Sequence, residues 1–162
     1  MRGGARAPLI AVCGASSADV SEVTAAEEVG RLLATRGAVV VCGGLTGVME
    51  AACRGAAGAG GLTVGLLPGD DPAEANPHVG LALATGLGEL RNGLIARACA
   101  GMIAIGGGYG TLSEVALMLR LGRPVCTLDS WRLLPPRGGP EDAAIHHAAG
   151  AEDAVGWVLE RV

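Results

Sequence analysis

The chain has 162 residues, half of them apolar, a length that suits one domain. Its net charge of −4 argues against holding a nucleic-acid polymer on a basic surface. All twelve cations are Arg. The missing lysine excludes a Schiff base to pyridoxal phosphate and the lysine-dependent phosphate loop of ATPases.

In chain order, Arg2 and Arg6 precede an apolar run from Pro8 to Cys13 that is too short for a signal peptide. A cytoplasmic protein without a membrane partner is therefore expected. Ala7–Cys13 is predicted as a strand ending in the turn Gly14-Ala-Ser16-Ser17. Ser21–Arg36 has apolar residues at three- and four-residue spacing and is predicted as a helix. Ala38–Cys42 is a continuous apolar run, the pattern of a strand covered on both faces. It empties into Gly43-Gly44-Leu-Thr-Gly47, and an Ala/Gly-rich helix follows to about Gly58. Leu62–Leu67 is a third strand. A loop containing Asp70 and Asp71 then runs to about His78, and Val79–Ala84 forms a weaker fourth strand. Gly88–Cys99 is predicted as a helix carrying Arg91 and Asn92. Met102–Ile105 is the fifth strand, Thr111–Leu121 a helix, and Pro124–Leu128 the sixth strand. Residues 132–142 are Pro/Gly-rich and read as loop. Ala151–Val162 closes the chain as an amphipathic helix.

Alternating strands and helices with short connections imply right-handed βαβ crossovers. The expected fold is a doubly wound, mostly parallel α/β sheet in a Rossmann-like three-layer sandwich, with residues 1–162 as one nucleotide-binding domain. Ligands of such sheets sit beyond the carboxyl ends of the strands. Three of these ends carry turns of small residues: Gly14 to Ser17, Gly43-Gly44, and Gly106 to Gly110.

The last turn is the most informative. Gly106-Gly107-Gly108-Tyr109-Gly110-Thr111 packs four glycines into five residues between a buried strand and a helix start. Bare backbone N–H groups and the positive end of the helix dipole make such a turn a cradle for phosphate, and Thr111 adds a hydroxyl. Glu114 is out of place beside an anion. Thr111-x-x-Glu114 fits a capping box, in which the carboxylate satisfies the helix's own amide. It equally fits a carboxylate that orients water or stabilises positive charge developing on a sugar. Arg91 would clamp a phosphate or hold that carboxylate charged. Asn92 would read a ribose or base, or cap locally. Asp129 stands where a dinucleotide fold places its ribose-binding acid, but the glycines lack the G-x-G-x-x-G spacing.

No metal site is expected. His146-His147 has no partner at ligand spacing and reads as an exposed edge. The five cysteines, Cys13, Cys42, Cys53, Cys99 and Cys126, show no CxxC pairing and read as reduced core residues.

These motifs resemble the LOG ("lonely guy") family, once misnamed lysine decarboxylases, whose pattern is Pro-Gly-Gly-x-Gly-Thr-x-x-Glu. Here Gly106 stands in place of the Pro. Gly43-Gly-Leu-Thr-Gly-Val-Met49 and Gly65-Leu-Leu-Pro68 also match, so the resemblance runs from about Ile10 to Leu128. It implies hydrolysis of the N-glycosidic bond of a nucleoside 5′-monophosphate without a cofactor. Arg91 and Glu114 would be catalytic. Gly107, Gly108, Tyr109, Gly110 and Thr111 would hold the phosphate, with Gly14, Ser16, Ser17, Gly43, Gly44 and Asn92 around the rest. The Arg91-Asn92 pair (Arg-Lys in most of the family), the Gly-Gly-Gly turn and the segment Asn76–Gly88 look closer to a sister branch that includes the molybdenum cofactor carrier proteins. That branch implies a non-catalytic carrier of a phosphorylated pterin. In either case the expected partner is a small phosphorylated ligand, and the Ala/Gly-rich helices suggest a homodimer or larger homo-oligomer.

Overall fold

A computed structural model describes residues 6–162; Arg2 lies outside them. Seven parallel strands form one sheet in the order β4-β3-β2-β1-β5-β6-β7. They are β1 (Leu9–Gly14), β2 (Val39–Cys42), β3 (Thr63–Leu67), β4 (Leu81–Ala84), β5 (Gly101–Ile105), β6 (Val125–Leu128) and β7 (Ile145–His147). The helices are α1 (Val20–Thr35), α2 (Val48–Gly58), α3 (Asn92–Ala98), α4 (Tyr109–Arg120) and α5 (Ala151–Leu159).

The period of two along the strands sorts their side chains into two cores. Ile10 and Val12 of β1 face α1, α2 and α5, where they meet Val29, Leu33, Ala52 and Val155. Ala11 and Cys13 face the opposite layer, with Ile95, Val115 and Met118 of α3 and α4. Each fully buried aliphatic side chain contributes roughly 2 kcal/mol relative to exposure. This is the doubly wound three-layer sandwich expected from the sequence, in a single domain.

The Ala/Gly composition of α2 has a local cause. A Cβ on Gly30 would collide with the carbonyl of Ala52, and one on Gly55 with the carbonyl of Glu27. Gly30 and Gly55 therefore let α1 and α2 pack closely against each other within the chain.

Three boundaries differ from expectation in ways that matter. The predicted helix Gly88–Cys99 is a 3-10 turn over Gly88–Arg91 followed by α3. Gly86 and Gly88 both have positive φ (61° and 55°), so the chain turns tightly before it can enter an α-helix. Arg91 thus stands at the N-cap of α3 instead of one turn inside it. Helix α4 starts at Tyr109, two residues earlier than expected. β7 is an edge strand of three residues whose His-His dipeptide carries no apolar run to announce it.

Candidate functional site

The sheet order reverses between β1 and β5. β1 leads through β2 and β3 to one edge, and β5 leads through β6 to the other. Beyond the carboxyl ends of the strands at this switch point lies a cleft of about 470 Å³. From β1 and its turn come Cys13, Gly14, Ala15 and Ser16. Gly43, Leu45 and Met49 follow β2, and Pro68 follows β3. Gly88, Glu89, Arg91 and Asn92 form one wall, and Gly108, Gly110, Thr111 and Glu114 the other.

The glycine turn is built for close approach. Gly106 and Gly107 adopt φ of 52° and 99°, a left-handed path closed to most side chains. The Glu22 carboxylate sits where a Cβ on Gly106 would be, and the Thr111 hydroxyl where one on Gly107 would be. A proline cannot adopt φ of 52°, so the Gly106 in place of the LOG proline follows a different backbone path. The turn is braced from β6 by Ser130 Oγ on the Gly106 carbonyl and by Trp131, whose indole donates to the Gly108 carbonyl at 3.1 Å.

α4 then begins with Gly108 as N-cap. Among the described residues no side chain caps it, and no acid stands in its first turn. α1 differs, being closed by a capping box of Asp19 and Glu22. Thr111 lies inside α4 as its third residue, so Thr111-x-x-Glu114 is not a capping box. The capping-box reading of Glu114 is thereby set aside, and its side chain lines the cleft.

Glu114 is 8% exposed. Burial pushes its carboxyl above the usual carboxylate range, against the opposing pull of a hydrogen bond from the Cys13 thiol and of the Arg91 charge. Cys13 is itself buried, and burial together with the adjacent carboxylate pushes its thiol up. Arg91 does not turn its guanidinium simply outward. Nη1 donates to the carbonyl of Gly43 at 2.7 Å and also to that of Leu66, tying the ends of β2 and β3. Its Nε is buried and has no acceptor among the described residues. Asn92 is buried and donates to Ser113 Oγ at 3.0 Å, which in turn donates to the Gly110 carbonyl. The pair clips α3 to the first turn of α4.

Most of the expected site residues meet here: Gly14, Ser16, Gly43, Arg91, Asn92, Gly108, Gly110, Thr111 and Glu114. Four do not line the cleft. Ser17 is exposed beyond it, and Gly44 is buried beneath it, its carbonyl accepting from Asn76. Gly107 packs under Thr111, and Tyr109 is 83% exposed, stacked on Trp131 at 5.9 Å. A side chain in the first residue of α4 points along the helix exterior, so Tyr109 flanks the turn without entering the cleft. Asp129 is exposed in a left-handed conformation (φ 45°) and does not line the cleft either.

Sequence reading missed Cys13, Met49 and Pro68 as lining residues. Cys13 reads as core because it ends an apolar run, yet ending that run puts it at the strand's carboxyl end. Trp131 was legible only as a rare aromatic close after β6. All five cysteines are free and buried, with burial pushing Cys99 and Cys126 up to about 12. His146 stacks on Trp157 and contacts Asp153, while His147 meets Thr127 and Glu141, so the two imidazoles point apart as neighbours on a strand must. No group of three or more His, Cys, Asp or Glu among the described residues is placed to hold a metal.

The SLOG cluster4 family pattern matches residues 7–155. The chain belongs to the SLOG cluster4 family. Among solved structures this SLOG chain is similar to the molybdenum cofactor binding protein of Rippkaea orientalis, with 32% identity, 97% of this chain and 98% of that one covered, and a TM-score of 0.85. It is similar to the molybdenum cofactor carrier protein of Chlamydomonas reinhardtii at 34% identity, covering 96% and 98%, with a TM-score of 0.84. An uncharacterized protein of Archaeoglobus fulgidus is 41% identical over 119 residues, which are 74% of this chain and 78% of that protein. The LOG resemblance read from the glycine turn is thereby confirmed at the level of the superfamily.

Proposed function

We propose that this SLOG protein binds and carries an intact phosphorylated heterocycle of the molybdenum cofactor class, holding the phosphate at the start of α4. The uncapped N-terminus of α4 at the cleft wall carries this reading. Backbone N–H groups there, the helix dipole and the Thr111 hydroxyl suit a phosphate. The buried, acceptor-free Nε of Arg91 adds a donor. Glu114 fits as well. Burial raises its carboxyl, which lowers the cost of placing an anionic ligand beside it. Full-length similarity at 32% and 34% identity to proteins described as binding or carrying that cofactor supports the same assignment.

Hydrolysis of a nucleoside 5′-monophosphate is the second reading, and one observation favours it: Arg91 and Glu114 line a single cleft. Against it, Arg91 spends Nη1 on two main-chain carbonyls. One experiment separates the two. The protein is incubated with a panel of nucleoside 5′-monophosphates, free base is followed by chromatography, and Glu114→Gln is run beside it. The carrier reading predicts no base release from either protein. Base release that disappears in Glu114→Gln would overturn it.

Two further features belong to this proposal. Five buried, unpaired thiols suit a reducing compartment and support a cytoplasmic protein; no helix among the described residues is long and apolar enough to cross a membrane. For self-association, the support lies at the β4 edge. Leu81 and Leu83 of β4, Leu87 and Leu90 around the 3-10 turn, and Leu94 of α3 are all exposed, Leu90 at 80%. A second copy meeting this edge about a two-fold axis would cover both sets of leucines at once.

A further inference from the structure

Behind the cleft floor three sulfur-bearing side chains meet. Cys42 ends β2, while Met49 and Cys53 stand four residues apart on one face of α2. The three form a buried cluster distinct from the two main cores, flanked by Leu45 and Val79. Cys42 Sγ and Cys53 Sγ are 3.5 Å apart. Cys42 also receives an N–H donor, the Gly44 amide reaching its Sγ at 3.2 Å. Both thiols are fully buried, whereas Met49 lines the cleft. The cluster therefore has a closed side of two thiols and an open side of one thioether. The proposed ligand chemistry makes no use of it.

Two thiols and a thioether form a soft donor set. Such sets select cuprous ion, while zinc takes four ligands. Metal–sulfur bonds of roughly 2.3 Å in a trigonal plane place sulfur atoms about 4 Å apart. The observed thiol pair needs to open only about half an ångström to accept that geometry. The Gly44 N–H on Cys42 is the kind of outer contact that orients a metal-bound thiolate.

We propose that Cys42, Cys53 and Met49 form a site for one soft monovalent metal ion of the cuprous class, entered from the cleft past Met49. On binding, two S–H bonds break, two sulfur–metal bonds form, and Met49 adds a third through its thioether. Two protons leave to solvent. The metal keeps its oxidation state, so no oxidant or reductant is needed. The donor set does not depend on which ligand the cleft carries, while its Met49 side opens on that cleft.

The test uses the full chain, thiol-reduced and anaerobic, titrated with cuprous ion held by the chromophoric chelator bicinchoninate. The site predicts withdrawal of one equivalent, a near-ultraviolet thiolate-to-metal absorption and release of two protons. Cys42→Ser and Cys53→Ser each lower the affinity by about tenfold or more. Met49→Leu, which conserves volume, weakens binding and keeps the stoichiometry. Cys126→Ser binds as the parent does. Absence of uptake, or uptake unchanged in Cys42→Ser, would overturn the proposal. X-ray absorption at the copper edge of the loaded parent gives a reading independent of whether the variants fold: a first shell of sulfur supports the site, and a shell of nitrogen and oxygen alone refutes it.

Discussion

Glu114 makes a prediction through its burial alone. Its carboxyl is raised in the folded protein, so the stability it contributes is fully present below the unfolded carboxylate range and is lost as pH rises through the folded value. The melting temperature of Glu114→Gln should rise relative to the parent as the pH is taken from the ordinary carboxylate range up to 8. Parallel melting curves across that span would contradict the assignment. The residue types of this site were legible in the sequence because a glycine turn between a strand and a helix is a local pattern. Their orientations were not. Whether Glu114 turns back on its helix depends on where the helix starts, and a shift of two residues decides it. The anchoring of Arg91 on the Gly43 and Leu66 carbonyls joins residues far apart in the chain, which no local pattern encodes.

At the scale of elements, the glycine turn and α4 act as one unit, and its glycines have separable roles. Gly107→Ala places a Cβ on the Thr111 side chain in a left-handed backbone. It should destabilise the fold by about 1–3 kcal/mol, read by denaturant melts. Gly110 has open space around it and lines the cleft. Gly110→Ala should melt as the parent does while weakening binding of a phosphorylated ligand. Equal effects of the two on stability would refute this division. The six longer strands and the α1, α2, α4 and α5 helices were readable from apolar runs and helical spacing. β7 was not, because its pairing with β6 is imposed by the sheet on a dipeptide of histidines. The split of α3 was not either, since it follows from two left-handed glycines whose conformation emerges only when the chain closes over β3.

At the scale of the molecule, the parallel sheet and its switch point gather the ends of β1, β2, β3 and β5 at one rim, so the site is a consequence of topology more than of any one motif. The same rim borders the leucine edge. Leu90→Glu with Leu94→Glu should reduce the particle mass measured by light scattering to that of one chain, without loss of helical signal. An unchanged mass would remove the β4 edge as the association face. The central claim, that α4 holds the phosphate of a ligand it leaves intact, is tested most directly by calorimetric titration with the molybdenum cofactor's phosphorylated pterin and with its dephosphorylated form. The account predicts one equivalent bound, affinity lower by about tenfold or more without the phosphate, and the pterin recovered whole from the complex. Equal affinity for both forms, or recovery of cleaved products, would contradict it.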